Sequence, residues 1–382
     1  MILTTPTLPP ERLTMPQLNY KNILCVRPDN LGDLLMSSPA IRALKETFHA
    51  RITVLTSSMA AGVAQLIPEI DDVLICDFPW VKTSTSDDRR FLELIPLLKE
   101  RNFDLAVVFT VYSQNPLPAV MLTYLSGIPS RLAYCRENPY QLLTHWVPDK
   151  EPYTYIKHQV RRDLDLVAEI GAYPSTELLK IKEDKLAQEM VLRKLHSVGV
   201  STQQPWLIFH AGVSEQKRAY PNHLWIETAI TVINQMNYQI LYTGSGKEKA
   251  LTDQLAAETG QNSFSLGGLF ALNEFAELIR KSSLVISVNT GTVHLAAATQ
   301  TPVVVLYALS NPQHAPWKAL GQILPFSVSA TLESKNEVLK YVTSELLPRN
   351  KSVSPADIIE VTEIILSGGA QIIKEIPDQL IL

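Results

Sequence analysis

The amino-acid sequence predicts an α/β protein made of two doubly wound domains that face each other across a cleft. Three observations lead to this prediction. Short apolar runs alternate with amphipathic helical patterns along most of the chain, which is typical of parallel sheets covered by helices. The alternation pauses near residue 175, after Gly171 and Pro174, and then starts again. The chain has 382 residues, 46% of them hydrophobic, which is enough for two cores.

The first array begins with a buried strand over Asn22–Arg27 and a helix over Asp33–Phe48. Apolar β-rich runs and helical patterns alternate after it. The further predicted strands are Ile52–Thr56, Val73–Cys76 and Leu105–Phe109, and the further helices are Arg89–Arg101, Pro118–Ser126 and His158–Gly171.

The second array follows an amphipathic helix over Asp184–Val198 and ends with a helix over Pro355–Leu366. Its predicted strands are Trp206–His210, Gln239–Tyr242, Ser263–Leu266, Leu284–Val288 and Val303–Leu306. Its predicted helices are Asn222–Met236, Lys247–Thr259, Leu272–Lys281 and Thr292–Thr299.

The chain is therefore divided into a flexible tail (1–20), an N-terminal domain (21–175), a C-terminal domain (176–350) and a C-terminal helical segment (351–382). In open α/β sheets, ligands bind beyond the carboxyl ends of the strands. Two facing domains of this kind predict one shared cleft.

Composition excludes several classes of protein. A formal net charge of −4 and a pI of about 6.1 argue against nucleic-acid binding, because no excess of Lys and Arg is available for phosphates. Cys25, Cys76 and Cys135 are far apart, which indicates buried, reduced thiols in a cytoplasmic protein. No apolar run reaches about 18 residues, so we expect no transmembrane helix. Met1–Pro16 lacks the apolar core of a targeting peptide.

A polar loop, Arg27 to Asp33, follows the first predicted strand. Gly32 permits a tight turn, and Asp33 then opens a helix whose positive end favours a carboxylate. Asp33 would either cap that helix or stand at the sheet edge as a base for a hydroxyl group. The loop alone leaves both readings open.

A second loop follows the first strand of the second array, from His210 to Pro221. It carries two adjacent cations, Lys217 and Arg218, before a helix. A guanidinium at this place suits a diphosphate, whereas the alternative is a pair of solvated surface charges.

A third loop joins the strand that ends at Val288 to a helix that carries His294 in its first turn. The free N–H groups of such a helix start suit the phosphates of a nucleotide. A histidine there is often a packing or capping residue, but here it would face the predicted cleft.

Two other patterns do not support a nucleotide or metal site. Gly244-Ser245-Gly246 lacks the third glycine of a dinucleotide fingerprint, because Lys249 occupies its place. Asp163-Leu164-Asp165 lies in a helical pattern, which favours a solvated helix face over a metal site. The sequence also contains no P-loop, HExxH or CxxC pattern.

With these loops in order, the sequence resembles the heptosyltransferases of lipopolysaccharide core assembly, glycosyltransferase family 9. The segments that carry the resemblance are LGDLLMSSPAIRALKETF, RAYP, and SVNTGTVHLAAATQTPVVVLY followed by SNP. The resemblance covers nearly the whole chain from Asn22. It implies a GT-B architecture of two Rossmann-like domains, inversion at the anomeric carbon, and no required metal or cofactor. The implied donor is a nucleotide-sugar, ADP-heptose or similar.

The resemblance also implies site residues. Asp33 takes the position of the general base, and Arg218 that of the cation that steadies the leaving diphosphate. The remaining donor-side residues are Gly212, Ser214, Lys217, Gly244, Glu248 (as a ribose contact), Asn289, Thr290, Gly291, Thr292 and His294. The acceptor-side residues are Arg27, Asp29, Asn30 and Gly32.

Two departures from the family pattern leave the donor sugar open. Asn289 stands where relatives commonly have Asp, which removes a charge and one acceptor. The loop after Leu306 reads Tyr-Ala-Leu-Ser-Asn-Pro instead of the more usual Phe-Gly-Pro-Thr-Asp-Pro.

The implied activity is transfer of a sugar to a hydroxyl of a saccharide or lipid-linked acceptor by a monomer that makes peripheral contact with the inner membrane. Residues 80–82 and the basic stretch Lys157–Arg162 are the candidate membrane contacts, with solvated surface as the alternative. Two other functions stay open, a nucleotide-sugar epimerase or hydrolase and a non-catalytic nucleotide-sugar binder. The low number of acids argues against the first, and the presence of Asp33 and Arg218 against the second.

Overall fold

The computed structural model describes residues 19–81, 88–309, 311–329, 336–346 and 350–374. The predicted tail lies almost wholly outside these residues, as do Lys82, Ser310 and residues 375–382. The strands are β1 Asn22–Arg27, β2 Arg51–Thr56, β3 Asp72–Ile75, β4 Leu105–Val108, β5 Ser130–Cys135, β6 His145–Pro148, β7 Trp206–His210, β8 Gln239–Tyr242, β9 Ser263–Ser265, β10 Leu284–Val288, β11 Val303–Ala308 and β12 Gly321–Phe326. The helices are α1 Leu31–Phe48, α2 Ala61–Ala64, α3 Asp88–Glu100, α4 Leu117–Leu125, α5 Gln159–Ala168, α6 Lys185–Ser197, α7 Asn222–Met236, α8 Lys249–Thr259, α9 Leu272–Lys281, α10 Gly291–Thr299, α11 Glu337–Tyr341 and α12 Pro355–Ile364.

The strands form two six-stranded parallel sheets with the same topology. The first has the order β3-β2-β1-β4-β5-β6, and the second has the order β12-β11-β10-β7-β8-β9. Numbered within each half, both orders read 3-2-1-4-5-6, the order of a Rossmann sheet. The chain order reverses beside β1 and beside β7, and ligand crevices lie at such reversals. The predicted α/β class with two doubly wound halves is confirmed.

Three strands were not predicted from the sequence: β5, β6 and β12. Two of them, β6 and β12, are edge strands that contain Pro148 and Pro325. A proline removes one ladder donor, so it is tolerated at an edge but weakens a strand pattern in the sequence. The third, β5, includes Arg131, which is buried and donates to the carbonyl groups of Ile128, Gln141 and Leu142.

Helix α1 is buried along most of its length and connects the two halves. It packs against α5 of the first half and α10 of the second. Pro39 lies inside it and cannot donate to the carbonyl of Leu35. The hydroxyl of Ser38 donates to that carbonyl at 2.7 Å, so the buried acceptor is satisfied and the helix continues to Phe48.

After the second sheet, the chain returns to the first half. Val342 is buried in one apolar cluster with Tyr112 and Ile156, and the rings of Tyr341 and Tyr153 lie 5.6 Å apart. Helix α12 packs on α7. Cys25, Cys76 and Cys135 are buried and free, as predicted. Among the described residues, no helix is long and apolar enough to cross a membrane.

Candidate active site

The N-termini of α1 and α10 meet at the boundary between the two halves. A Cβ atom on Gly32 would lie 2.7 Å from Cδ2 of His294, and one on Gly291 would lie 3.0 Å from Cδ2 of Leu31. Each helix follows a central strand, β1 or β10, at its carboxyl end. Gly32 leaves room for His294, and Gly291 leaves room for Leu31. The close approach directs the free N–H groups of both helices toward one space.

That space is a cavity of about 310 Å³ between the halves. Eleven of the predicted site residues line it, from both sides: Asn30, Gly32, Asp33, Gly212, Ser214, Arg218, Glu248, Asn289, Thr290, Gly291 and His294. The residues that also line it but were not predicted are Leu31, Met36, Met59, His210, Asn311 and His314.

Asp33 lies in the first turn of α1 and is held from several directions. Its Oδ2 accepts a hydrogen bond from the backbone N–H of Asn30 at 3.2 Å, and its Oδ1 lies 3.3 Å from Nη2 of Arg27. Burial raises the pKa of this carboxyl, but Arg27 first, then His314 and the N–H of Asn30, outweigh burial and hold the pKa below its ordinary value. Asp33 is therefore an anion at neutral pH.

Arg27 and Asp29 lie beneath this carboxylate and do not line the cavity. Arg27 is fully buried, with its Nε 3.3 Å from Oδ2 of Asp29. Oδ1 of Asp29 accepts a hydrogen bond of 2.6 Å from the amide of Gln114. Burial raises the pKa of Asp29 despite the attraction of Arg27. Arg27 thus pairs with Asp33 from below the cavity, and Asp29 shares the same cation.

Opposite Asp33, three buried polar atoms have no hydrogen-bond partner among the described residues: Nε of Arg218, Oγ1 of Thr290 and Nδ1 of His294. The other end of the Arg218 guanidinium donates to the carbonyl of Asn289 at 3.3 Å, which fixes it on this loop. Leaving buried polar groups unpaired is costly, so such a cluster indicates a site that a polar ligand completes.

Asn289 lines the cavity at the end of β10. Its Oδ1 accepts a hydrogen bond of 3.1 Å from the backbone N–H of Ala308 at the end of β11. Since an N–H needs an acceptor, this bond assigns the oxygen, and the NH₂ group remains as a donor for the cavity.

A second, more apolar pocket adjoins the cavity and shares His210 and Glu248 with it. Oε2 of Glu248 accepts a hydrogen bond of 2.6 Å from the N–H of Ser245, and a Cβ on Gly212 or Gly244 would collide with the Glu248 side chain. The other lining residues are Thr243, Gly244, Ser245, Leu266, Phe270, Leu272 and Phe275. Mostly apolar walls with a few polar groups suit a flat heterocycle and its ribose.

Two predicted donor residues lie outside both pockets. Lys217 forms an ion pair with Glu215, at 2.9 Å, and Thr292 is buried within α10. Gly244 lines the second pocket rather than the cavity.

Comparison with known proteins identifies the family of this chain. The sequence model of glycosyltransferase family 9 (heptosyltransferase) matches residues 91–341, about two thirds of the chain. The chain belongs to glycosyltransferase family 9. It is accordingly a glycosyltransferase that uses a nucleotide-sugar, and the predicted family resemblance is confirmed.

Relatives extend the match over most of the chain. Lipooligosaccharide heptosyltransferase 2 of Haemophilus influenzae is 23% identical over 342 residues, which cover 86% of this chain and 91% of that protein. The crystal structure of a family 9 glycosyltransferase from Veillonella parvula covers 92% of this chain with a TM-score of 0.74 and 16% identity, over 98% of its own length. The structure of the E. coli ADP-heptose lps heptosyltransferase II covers 91% with a TM-score of 0.69 and 20% identity, again over 98% of its length. These likenesses confirm the GT-B fold.

His314 is a cavity residue that the sequence analysis of this transferase missed. It comes from the loop after β11, and its Nε2 lies 3.8 Å from Oδ1 of Asp33. Burial lowers the pKa of His314 to about 4, although Asp33 opposes this shift. The only sequence feature that pointed to His314 is the departure of this loop from the family pattern.

Two expectations for helix α5 are wrong. Asp163 does not lie on a solvated face: it is 1% exposed and accepts hydrogen bonds from the hydroxyl of Ser37 at 2.7 Å and the amide of Gln159 at 2.8 Å. The stretch Lys157–Arg162 is not a continuous basic surface, because Arg162 is buried between Asp149 at 2.9 Å and Glu151 at 2.6 Å. His158 is buried as well.

In the described part of the chain, no group of three or more His, Cys, Asp or Glu residues is arranged to hold a metal ion. Asp163 and Asp165 diverge, since Asp165 pairs with Lys157 at 2.6 Å. The two carboxylates of this segment pair with Ser37, Gln159 and Lys157 instead.

Proposed function

We propose that this transferase moves a heptose or related sugar from an ADP-linked donor to a hydroxyl of a saccharide or lipid-linked acceptor. The transfer inverts the anomeric carbon, requires no metal, and serves cell-surface glycan synthesis of the lipopolysaccharide type. The family match and the ADP-heptose named for the E. coli neighbour support the donor class. Because Asn289 replaces the Asp that relatives commonly have, the donor sugar is identified by the screen described below.

The observation that carries this proposal is the charge arrangement across the cavity. An ionised carboxylate, Asp33, stands on the first half. On the second half stand the unpaired Arg218 Nε and Thr290 Oγ1, beside the N-terminus of α10. A base on one wall and anion-binding donors on the other are what an attack on a phosphate-linked sugar requires.

In the proposed reaction, the acceptor hydroxyl loses its proton to Asp33 as its oxygen bonds to the anomeric carbon. The bond from that carbon to the diphosphate oxygen breaks, and its electron pair leaves with the diphosphate. Arg218, Thr290 and the free N–H groups of α10 stabilise that charge. Attack from the wall opposite the leaving group inverts the anomeric centre.

The adjoining pocket supports a nucleoside position. Phe270, Leu272 and Phe275 offer apolar surface for a base, and the carboxylate of Glu248 is an acceptor for ribose hydroxyls. Asn30 and Gly32 line the cavity beside Asp33, and we assign them to the acceptor. We also propose that the chain acts in the cytoplasm, as a monomer in peripheral contact with the inner membrane, because a lipid-linked acceptor is presented there.

A screen of ADP-, GDP-, UDP- and dTDP-sugars, with chelator present throughout, tests the proposal. A donor at about one hundred times its dissociation constant adds roughly 2.7 kcal/mol to the stability of the native state, which thermal unfolding detects. We expect the stabilisation with ADP-sugars, and transfer to a heptose-containing acceptor with an inverted anomeric signal in NMR. Stabilisation only by a sugar linked to another nucleotide would contradict the proposed donor. Retention of the anomeric configuration would contradict the proposed mechanism, and loss of activity in the presence of chelator would contradict metal independence.

A further inference from the structure

The loop after β11 belongs to the second half by sequence but is attached to the first half. The amide of Gln313, which is fully buried, donates to Oε1 of Glu151 and to the carbonyl of Lys157, both at 3.0 Å. The carbonyl of Ala315 lies 2.7 Å from Nε2 of His158. The indole N–H of Trp317 donates to the carbonyl of Glu177 at 2.8 Å.

These anchors lie on both sides of His314 and hold it against the first half. Its side chain is 23% exposed, compared with 11% for Asp33, so it stands nearer the mouth of the cavity. Its anchors are Glu151, Lys157 and His158, which precede α5, and Glu177 in the connection between the halves. His314 would therefore keep its place beside Asp33 if the two halves moved apart.

The distance between the His314 imidazole and the Asp33 carboxylate is suited to proton transfer through a bridging oxygen atom. At 3.8 Å, Nε2 and Oδ1 are too far apart for a direct hydrogen bond, whereas an oxygen atom between them can lie about 2.8 Å from each. Nδ2 of Asn311 lies 3.5 Å from Nε2 of His314. Oδ1 of Asn311 accepts from the N–H of Gln313, so the group that faces the imidazole is a donor. Nε2 is therefore the unprotonated ring nitrogen. Its contact with Asn311 is at the 3.5 Å limit of a hydrogen bond, so the single lone pair can instead accept from an oxygen atom in the gap.

Charged and titratable groups surround this imidazole from every neighbouring element. Asp33 favours its protonated form, whereas the other groups and burial favour the neutral form: Arg27 on β1, His158 before α5, Arg218 before α7 and His294 on α10. At neutral pH the imidazole is thus uncharged and able to receive a proton.

We propose that His314 is a proton-relay residue of the transfer reaction, which receives from Asp33 the proton removed from the acceptor hydroxyl. This inference rests on the proposed function. The proton passes from the hydroxyl oxygen to Asp33 and from there, through a water oxygen that bridges the 3.8 Å gap, to Nε2, while the electron pair of the broken glycosyl bond leaves on the diphosphate. The carboxylate is restored beside an imidazolium, which returns the proton to solvent at the mouth of the cavity.

The variant His314→Gln tests the relay because it keeps a polar side chain of similar reach that cannot accept a proton. We expect kcat to fall about a hundredfold, with the KM for donor little changed, since removal of a group that handles the proton in the transition state typically costs at least this much. His196→Gln, an exposed histidine near the end of α6, is the matched control and keeps full activity.

Rescue separates proton relay from a structural role. Imidazole added to His314→Ala is expected to restore transfer in proportion to its unprotonated fraction, so rescue increases with pH. Wild-type kcat in His314→Gln, or rescue that is independent of pH, would overturn the inference. The nucleotide-sugar screen keeps the two failures apart. If the wild type binds no nucleotide-sugar, the proposed function fails; if the wild type transfers sugar and His314→Gln does so equally well, only the relay fails.

Discussion

The guanidinium of Arg27 is fully buried and lies 3.3 Å from Oδ1 of Asp33. The same side chain lies 3.3 Å from Asp29, so one cation on β1 serves two buried carboxylates. A buried charge whose partner is removed is strongly destabilising. The base of the proposed reaction thus depends on a residue that does not reach the cavity.

Arg27→Met is expected to lower the free energy of unfolding by about 3–5 kcal/mol, because it leaves two carboxylates unpaired. Arg27 holds the pKa of Asp33 down, so in any folded protein that remains, the pKa rises and the acid limb of kcat/KM moves to higher pH. In the wild type, the stability that this pair contributes is present above the unfolded pKa of about 3.9 and is lost as pH falls through the lower folded value.

Arg42→Met is the matched control for this prediction. Arg42 is a second buried arginine, on α1, which pairs with Glu69 at 2.6 Å and donates to the carbonyl groups of Thr176 and Leu178. Its loss is expected to destabilise the protein without moving the pH profile of transfer. Equal pH profiles for both variants would contradict the role given to Arg27.

Arg218→Ala is expected to lower kcat by about 10²- to 10³-fold, the usual cost of one donor that stabilises developing negative charge. Arg218→Lys should recover only part of this loss, because an ammonium group cannot bind a diphosphate in the forked geometry. Steady-state kinetics measures both. Arg193→Ala, on the exposed surface of α6, controls for the loss of a positive charge. A similar decrease of kcat in that variant would contradict the role given to Arg218.

Asp163→Asn is expected to make the protein more stable at pH 8 than the wild type, by about 1–3 kcal/mol. Burial raises the pKa of Asp163 to about 6, above the unfolded value of about 3.9. Its stabilising contribution is therefore full below pH 4 and is lost as pH rises through about 6. The new amide oxygen can keep the hydrogen bond from Gln159. The hydroxyl of Ser37 can donate to the carbonyl of Asp33 instead and accept from the new amide nitrogen.

Urea unfolding at pH 5 and pH 8 checks this sign. The gain of Asp163→Asn should be larger at pH 8 than at pH 5. Asp165→Asn removes the partly exposed carboxylate two residues along α5 and controls for the change in helix charge. A gain that is the same at both pH values would show that desolvation of Asp163 is not its cause.

The repeated strand–helix alternation was sufficient to predict the fold, because buried parallel strands are continuous apolar runs. The prolines of β6 and β12 and the buried arginine of β5 obscured the remaining strands. Glycine- and hydroxyl-rich turns after β1, β7 and β10 identified most of the cavity, since ligands bind at the carboxyl ends of such strands.

The sequence could not reveal contacts made across long separations. Asp163 and Ser37 are 126 residues apart, and His158 and Ala315 are 157 apart, so their burial arises only when the helices pack. His314 was missed for the same reason. A histidine in a polar loop has no local pattern that distinguishes a cavity residue from a surface one.

The measurement that tests the central claim most directly compares donor binding and transfer in Asp33→Asn. The account predicts that this variant keeps the thermal stabilisation by the donor sugar nucleotide but loses transfer by about 10²- to 10⁴-fold. Asp71→Asn, at the opposite edge of the first sheet beside Lys45, should retain both. Transfer at the wild-type rate by Asp33→Asn would contradict the assignment of Asp33 as the base.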